Sequence, residues 1–164
     1  EARIAAITRS TCAAIEAAAA AIPGPIVLTG HSAGGHLVAR QVCGDTGLKP
    51  ATLRRIRRVV PISGLNDLRP LMATRLNAAL RLDAAEAAAE SPALLAPLPG
   101  VRVTAWVGGA ERPEFVRQNA LLANIWTGLG AEMSEVIAPG RHHFDVIEGL
   151  TDPGSDLVEG LLGE

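Results

Sequence analysis

One hexapeptide constrains this chain more than any other feature: Gly30-His31-Ser32-Ala33-Gly34-Gly35 follows the apolar run Ile26-Val27-Leu28-Thr29 and precedes a helical pattern over 36–42. The apolar run suits a strand buried on both faces. A Gly-x-Ser-x-Gly turn between strand and helix reverses the chain so sharply that Ser32 must take strained backbone angles. Gly30 and Gly34 are expected to let neighbouring backbone approach without a Cβ clash. Such a turn lifts the Ser32 hydroxyl into the open at a helix N-terminus, where N–H groups face developing negative charge.

The rest of the chain supports that placement. Ile4, Ile7, Thr11, Ile15 and Ile22 recur near helical spacing on an Ala-rich background, and Pro23-Gly24-Pro25 stops the helix. Val59-Val60-Pro61-Ile62 reads as a second strand that should end near Pro61. The stretch from Asp67 to Leu95 is helical in character, divided by Pro70 and Ser91-Pro92. Val101–Val107 predicts a third strand, 113–129 a helix opened by Pro113, and Glu132–Ala138 a fourth strand. The tail from His143 to Leu162 reads as short helices split at Pro153-Gly154. Four alternations imply an α/β fold in one domain spanning 1–164, with about four parallel strands flanked by helices and joined by right-handed crossovers. In such sheets function gathers at the carboxyl ends of the strands, here the loops 30–35, 63–69, 108–114 and 139–144.

Composition removes several classes of function. The net charge is −2 and aromatics make up 2% of the chain, represented by Trp106, Phe115, Trp126 and Phe144. A chain so charged has no general attraction to nucleic acid, and it has too few rings for a base-stacking surface. No uninterrupted apolar run reaches the ~18–20 residues that span a bilayer, so no membrane partner is expected. Cys12 and Cys43 are too few for a disulfide scaffold or a cysteine-rich metal site; as reduced thiols they point to the cytoplasm. Arg54, Arg55, Arg57 and Arg58 read as a solvated edge. Trp106 and Trp126 read as core.

A serine hydroxyl needs a base within hydrogen-bond reach. His31 and His36 flank the turn and read as packing or solvated positions. His142 and His143 follow the fourth strand at the same sheet edge as Ser32; an adjacent pair cannot both face one site, and His143, opening the next segment, fits the base better. A carboxylate must then hold the imidazole tautomer. Glu111 lies inside loop 108–114. Asp67 more naturally caps the helix after it, and Glu114 sits in a first helical turn, where acids complement the helix dipole. The order Ser32…Glu111…His143 is that of the α/β-hydrolases. None of the four histidines has a metal-ligand spacing.

These residues resemble the bacterial arylformamidases, also called kynurenine formamidases, a family of α/β-hydrolases. The resemblance runs from about Pro25 to Leu150. It rests on 30–37 (Gly-His-Ser-Ala-Gly-Gly-His-Leu), on 62–71 (Ile-Ser-Gly-Leu-Asn-Asp-Leu-Arg-Pro-Leu), on Glu90-Ser91-Pro92, on 107–111 with Glu114-Phe115 and Arg117-Gln118, and on His143-Phe144-Asp145. Asn66, where a larger side chain is usual, and His142, where Asn is commoner, depart from the pattern. The resemblance implies cofactor-free hydrolysis of N-formyl-L-kynurenine to formate and L-kynurenine, with Ser32, Glu111 and His143 catalytic and the Ala33 N–H in the oxyanion hole. An ester substrate, a non-catalytic binding role and a homodimer stay open. The family also implies a His-Gly-Gly-type oxyanion loop ahead of Ser32. None precedes it in these 164 residues, so the chain is expected to be the C-terminal portion of a hydrolase, nearly inactive alone, with an uncovered edge on the first strand.

Overall fold

A computed structural model of the chain describes residues 3–163. Four strands, β1 (Ile26–His31), β2 (Ile56–Ile62), β3 (Arg102–Gly108) and β4 (Glu132–Ala138), form one parallel sheet in the order β1-β2-β3-β4. Among the described residues seven α-helices accompany them: α1 (Ile4–Ala21), α2 (Ala33–Arg40), α3 (Pro50–Leu53), α4 (Asn77–Leu80), α5 (Ala84–Ala89), α6 (Pro113–Gly128) and α7 (Asp156–Leu162). The expected helical stretch between Asp67 and Leu95 is broken into 3₁₀ turns at Arg69–Ala73 and Pro92–Leu94, with α4 and α5 between them.

Alternation of side chains across the strands explains the layers. Leu28, Val59 and Val103 face α2 and α6, where Val38, Ala39, Leu122 and Trp126 complete one buried cluster. Val60, Ile62 and Trp106 point the other way, onto Leu157 and Leu161 of α7. Trp106 and Trp126 are both core, as expected. Each fully buried aliphatic side chain in these layers stabilises by about 1.5–3 kcal/mol.

β2 ends at Ile62, one residue past Pro61 and so near it as expected, but begins earlier than the apolar run, at Ile56. The Ile62 carbonyl accepts from the Ser32 N–H (2.8 Å) on the β1 side, whereas the Ser63 N–H donates to the Trp106 carbonyl (2.7 Å) on the β3 side. Pro61 shares the parity of Ser63, so its missing N–H faces β3. The recorded β2–β3 register is accordingly confined to Val59↔Val103 and Ile62↔Trp106.

The arginine cluster is not merely solvated. The Arg55 guanidinium donates to the carbonyls of Ala19, Ile22 and Gly24 at 2.5–2.7 Å, capping the end of α1. Arg58 donates to the Gly160 carbonyl of α7 at 2.6 Å.

Lastly, α1, at 18 residues and mean hydropathy 1.2, has the length and composition of a membrane-spanning helix, a property hidden from a search for unbroken runs by Arg9 and Glu16. Its contacts are with the α/β body. Ile4 is buried with Leu68, Leu82 and Ala87, and the Thr8 hydroxyl donates to Glu90 at 2.6 Å.

Candidate active site

Ser32 sits where β1 turns into α2, at φ 57° and ψ −116°. That positive φ is costly for a residue with a side chain and is a recurrent feature of functional turns. The glycines around it divide the work differently from the motif reading. A Cβ on Gly30 would lie 2.4 Å from the Gly34 carbonyl oxygen, so Gly30 is needed where the chain folds back on itself. A Cβ on Gly34 would meet nothing within 4 Å. The second close approach belongs to Gly35, whose Cβ would come within 2.9 Å of the Gly64 Cα and of the Ile62 carbonyl oxygen. Helix α2 therefore rests directly on the end of β2.

The structure brings together Ser32, His143 and Glu111 from three separate strand ends. His143 Nε2 lies 3.1 Å from Ser32 Oγ, and its Nδ1 lies 2.6 Å from Glu111 Oε2. A carboxylate accepts and does not donate, so Nδ1 carries the ring proton and Nε2 presents its lone pair to the serine hydroxyl. The Glu111 side chain is wholly buried, whereas the His143 side chain keeps 17% of its surface. Ala33 is the first residue of α2, which sets its N–H beside Ser32 at the helix N-terminus.

The other candidates lie elsewhere. Asp67 is held by Arg69 through side-chain contacts at 2.9 Å and an N–H at 3.1 Å. The Arg69 guanidinium holds its carboxyl below the ordinary value. Glu114 is paired in the same way with Arg117, at 2.7 Å, and is likewise lowered. His142 points away; its Nδ1 accepts from the N–H groups of Phe144 and Asp145 at 3.1 and 3.2 Å. His36 is buried with Nε2 2.7 Å from the Glu90 carbonyl, and burial pushes its pKa down.

Three residues escaped sequence reasoning in the roles they take here. His31 and Phe115 enclose the His143 ring, at centroid distances of 4.5 and 4.1 Å. Burial lowers the pKa of His31, whose ring lies against that of His143. Ser63 Oγ donates to Glu111 Oε1 at 2.5 Å. Alternation along the strands could have suggested His31, which directly precedes the turn; no residue pattern announces the conformation of Ser63.

Beside Ser32 an apolar recess of about 400 Å³ opens. Apart from Ser32 and His36, its lining is Ile, Leu and Ala, including Ile7, Leu37, Leu65, Leu68 and Leu71. Among the described residues no group of three or more His, Cys, Asp and Glu side chains could hold a metal ion. Cys12 and Cys43 are free thiols, and burial pushes Cys43 up to about 12.

No family model matches the sequence. The chain is 31% identical over 147 residues to the kynurenine formamidase of Salmo salar, and 28% identical over 142 residues to that of Danio rerio. Each match covers 84% of this chain and 48% of the fish protein, so the chain spans about half the length of the curated relatives it matches. Among solved structures, a candidate thioesterase from Silicibacter sp. superposes with a TM-score of 0.91 at 50% identity, covering 98% of this chain and 59% of that one. The butyrate-bound esterase Est2 of Thermogutta terrifontis superposes at 0.64 and 21% identity over 99% of this chain and 69% of its own, a likeness of fold. By its sheet and its neighbours the chain has the α/β-hydrolase fold, and its sequence is similar to the kynurenine formamidases.

Proposed function

We propose that this chain carries the catalytic triad of a serine hydrolase, Ser32-His143-Glu111, acting on the formyl amide of N-formyl-L-kynurenine. The hydrogen-bonded series from Glu111 through His143 to Ser32 carries the reading of the chemistry. Similarity to kynurenine formamidases supports the substrate. In the proposed reaction His143 Nε2 takes the Ser32 proton as Oγ attacks the formyl carbon. The tetrahedral oxyanion is met by the Ala33 N–H. His143, charged and steadied by Glu111, gives its proton to the departing aryl amine. Water then adds to the formyl-serine ester by the same proton relay, releasing formate and restoring Ser32.

The apolar recess favours a second reading, an ester or thioester with an apolar acyl chain. A formyl group offers only hydrogen on its acyl side and would leave an acyl pocket empty, whereas the Ile and Leu lining suits a hydrocarbon. Rates on N-formyl-L-kynurenine and on p-nitrophenyl acetate, butyrate and hexanoate, measured side by side, separate the two. The formamidase reading expects the highest kcat/KM on the formamide. A rate rising with acyl length, with no formate released, would replace it by the esterase.

A further inference from the structure

We propose that Ser63 is a positioning residue that fixes the Glu111 carboxylate so that it can orient His143, a role that rests on the triad reading above. Ser63 follows the last residue of β2 and takes φ 50°, in the left-handed region where glycine is the usual choice. It is wholly buried. A residue with a side chain at such a position is costly and is retained where that side chain is used. Here the use is visible: the hydroxyl donates to Glu111 Oε1 at 2.5 Å.

The rest of the site makes that contact consequential. Glu111 Oε1 also accepts from the Gly108 N–H at 2.9 Å. With two donors on Oε1, the carboxylate is held against rotation, and Oε2 faces His143 Nδ1. The backbone of Ser63 is itself pinned, since its N–H donates to the Trp106 carbonyl at 2.7 Å. The loop beyond it is tied to α6: Gln118 Oε1 accepts from the N–H groups of Asn66 and Asp67 at 2.9 and 2.7 Å. Gly64 packs against Gly35 and the His36 nitrogen, at 3.1 and 3.3 Å from its Cβ position. Ser63 thus joins the end of β2, which supports the Ser32 turn, to the carboxylate that orients the base.

The test uses Ser63→Gly and Ser63→Ala. Glycine suits the left-handed backbone better than serine but lacks the hydroxyl, so the pair separates the backbone role from the hydroxyl role. Two quantities are read on the purified chain. One is the low-field proton resonance of His143 Nδ1–H, assigned by its loss in His143→Ala; the other is the rate of covalent labelling by a fluorophosphonate. Both variants are expected to keep the wild-type backbone amide spectrum, to move or broaden the low-field resonance, and to label about tenfold or more slowly, as befits loss of a hydrogen bond to a charged group. A Ser63→Gly chain with the wild-type resonance and labelling rate would overturn the proposal, and loss in Ser63→Ala alone would assign the effect to the backbone instead. If the wild-type chain takes no label, the Ser32 reading fails by itself, and the resonance still decides whether Ser63 positions the pair.

Discussion

A Cβ built on Gly108 would lie 2.3 Å from the carbonyl oxygen of Arg141. The turn after β4, which carries His143, is therefore docked backbone-to-backbone on the end of β3, which carries Glu111. The same contact is reinforced by the Ala110 N–H donating to the Arg141 carbonyl at 2.9 Å and the Gly109 N–H donating to Ala138 at 2.8 Å. Gly108→Ala must push the two segments apart. We expect a loss of about 1–3 kcal/mol in stability, read by denaturant unfolding, with fluorophosphonate labelling of the folded fraction slowed by about tenfold or more.

The two motif glycines are expected to behave differently. Gly30→Ala places a methyl group against the Gly34 backbone and should prevent the turn from forming. Gly34→Ala meets open space in the first turn of α2, where alanine is favoured over glycine by up to about 1 kcal/mol. Thermal unfolding of the two variants should show a large fall in Tm for the first and an unchanged or raised Tm for the second.

The adjacent histidines can be separated by substitution. On the proposed mechanism His143→Ala removes the base and should slow labelling by about 10²–10⁴-fold. His142 accepts two backbone N–H bonds on the exposed side of the turn, so His142→Ala should cost about 1 kcal/mol or less and leave the labelling rate within a few-fold of wild type. Equal losses would contradict the assignment of His143.

Stability should fall in mildly acidic solution. His36 is buried and its pKa is depressed by that burial. As the pH drops below the ordinary histidine value of about 6.5, the unfolded chain takes up a proton that folded His36 refuses. Unfolding is then favoured by up to about 1.4 kcal/mol per pH unit until the folded value is reached. Asp67 and Glu114, whose values are lowered by Arg69 and Arg117, act in a separate window: their contribution is present above their ordinary values near pH 4 and is lost as the pH falls below them. Unfolding free energies measured from pH 7.5 to 5 in wild type and His36→Gln should show a slope in the first that is shallower in the second.

Much of this architecture is legible because the signals are local. Glu132–Ala138 is bounded by Gly130 and Pro139-Gly140, and the strand matches those limits. The Ser32 turn is announced by its glycines between an apolar run and a helix. What stays hidden depends on partners distant in sequence. Pro61 does mark the end of β2 to within one residue, but that its nitrogen faces a gap in the β2–β3 ladder is visible only once β3 is in place. Arg55 looks solvated until the end of α1 is brought to it. Gly35 matters only because Gly64 arrives beneath it, and Ser63 only because β3 delivers Glu111 to its hydroxyl.

The most direct test of the central claim is intact-mass and peptide spectrometry of the chain after reaction with a fluorophosphonate. The account predicts one adduct per chain, on the peptide containing Ser32, absent from Ser32→Ala and strongly reduced in His143→Ala. No adduct on wild type, or an adduct that persists in Ser32→Ala, would contradict it.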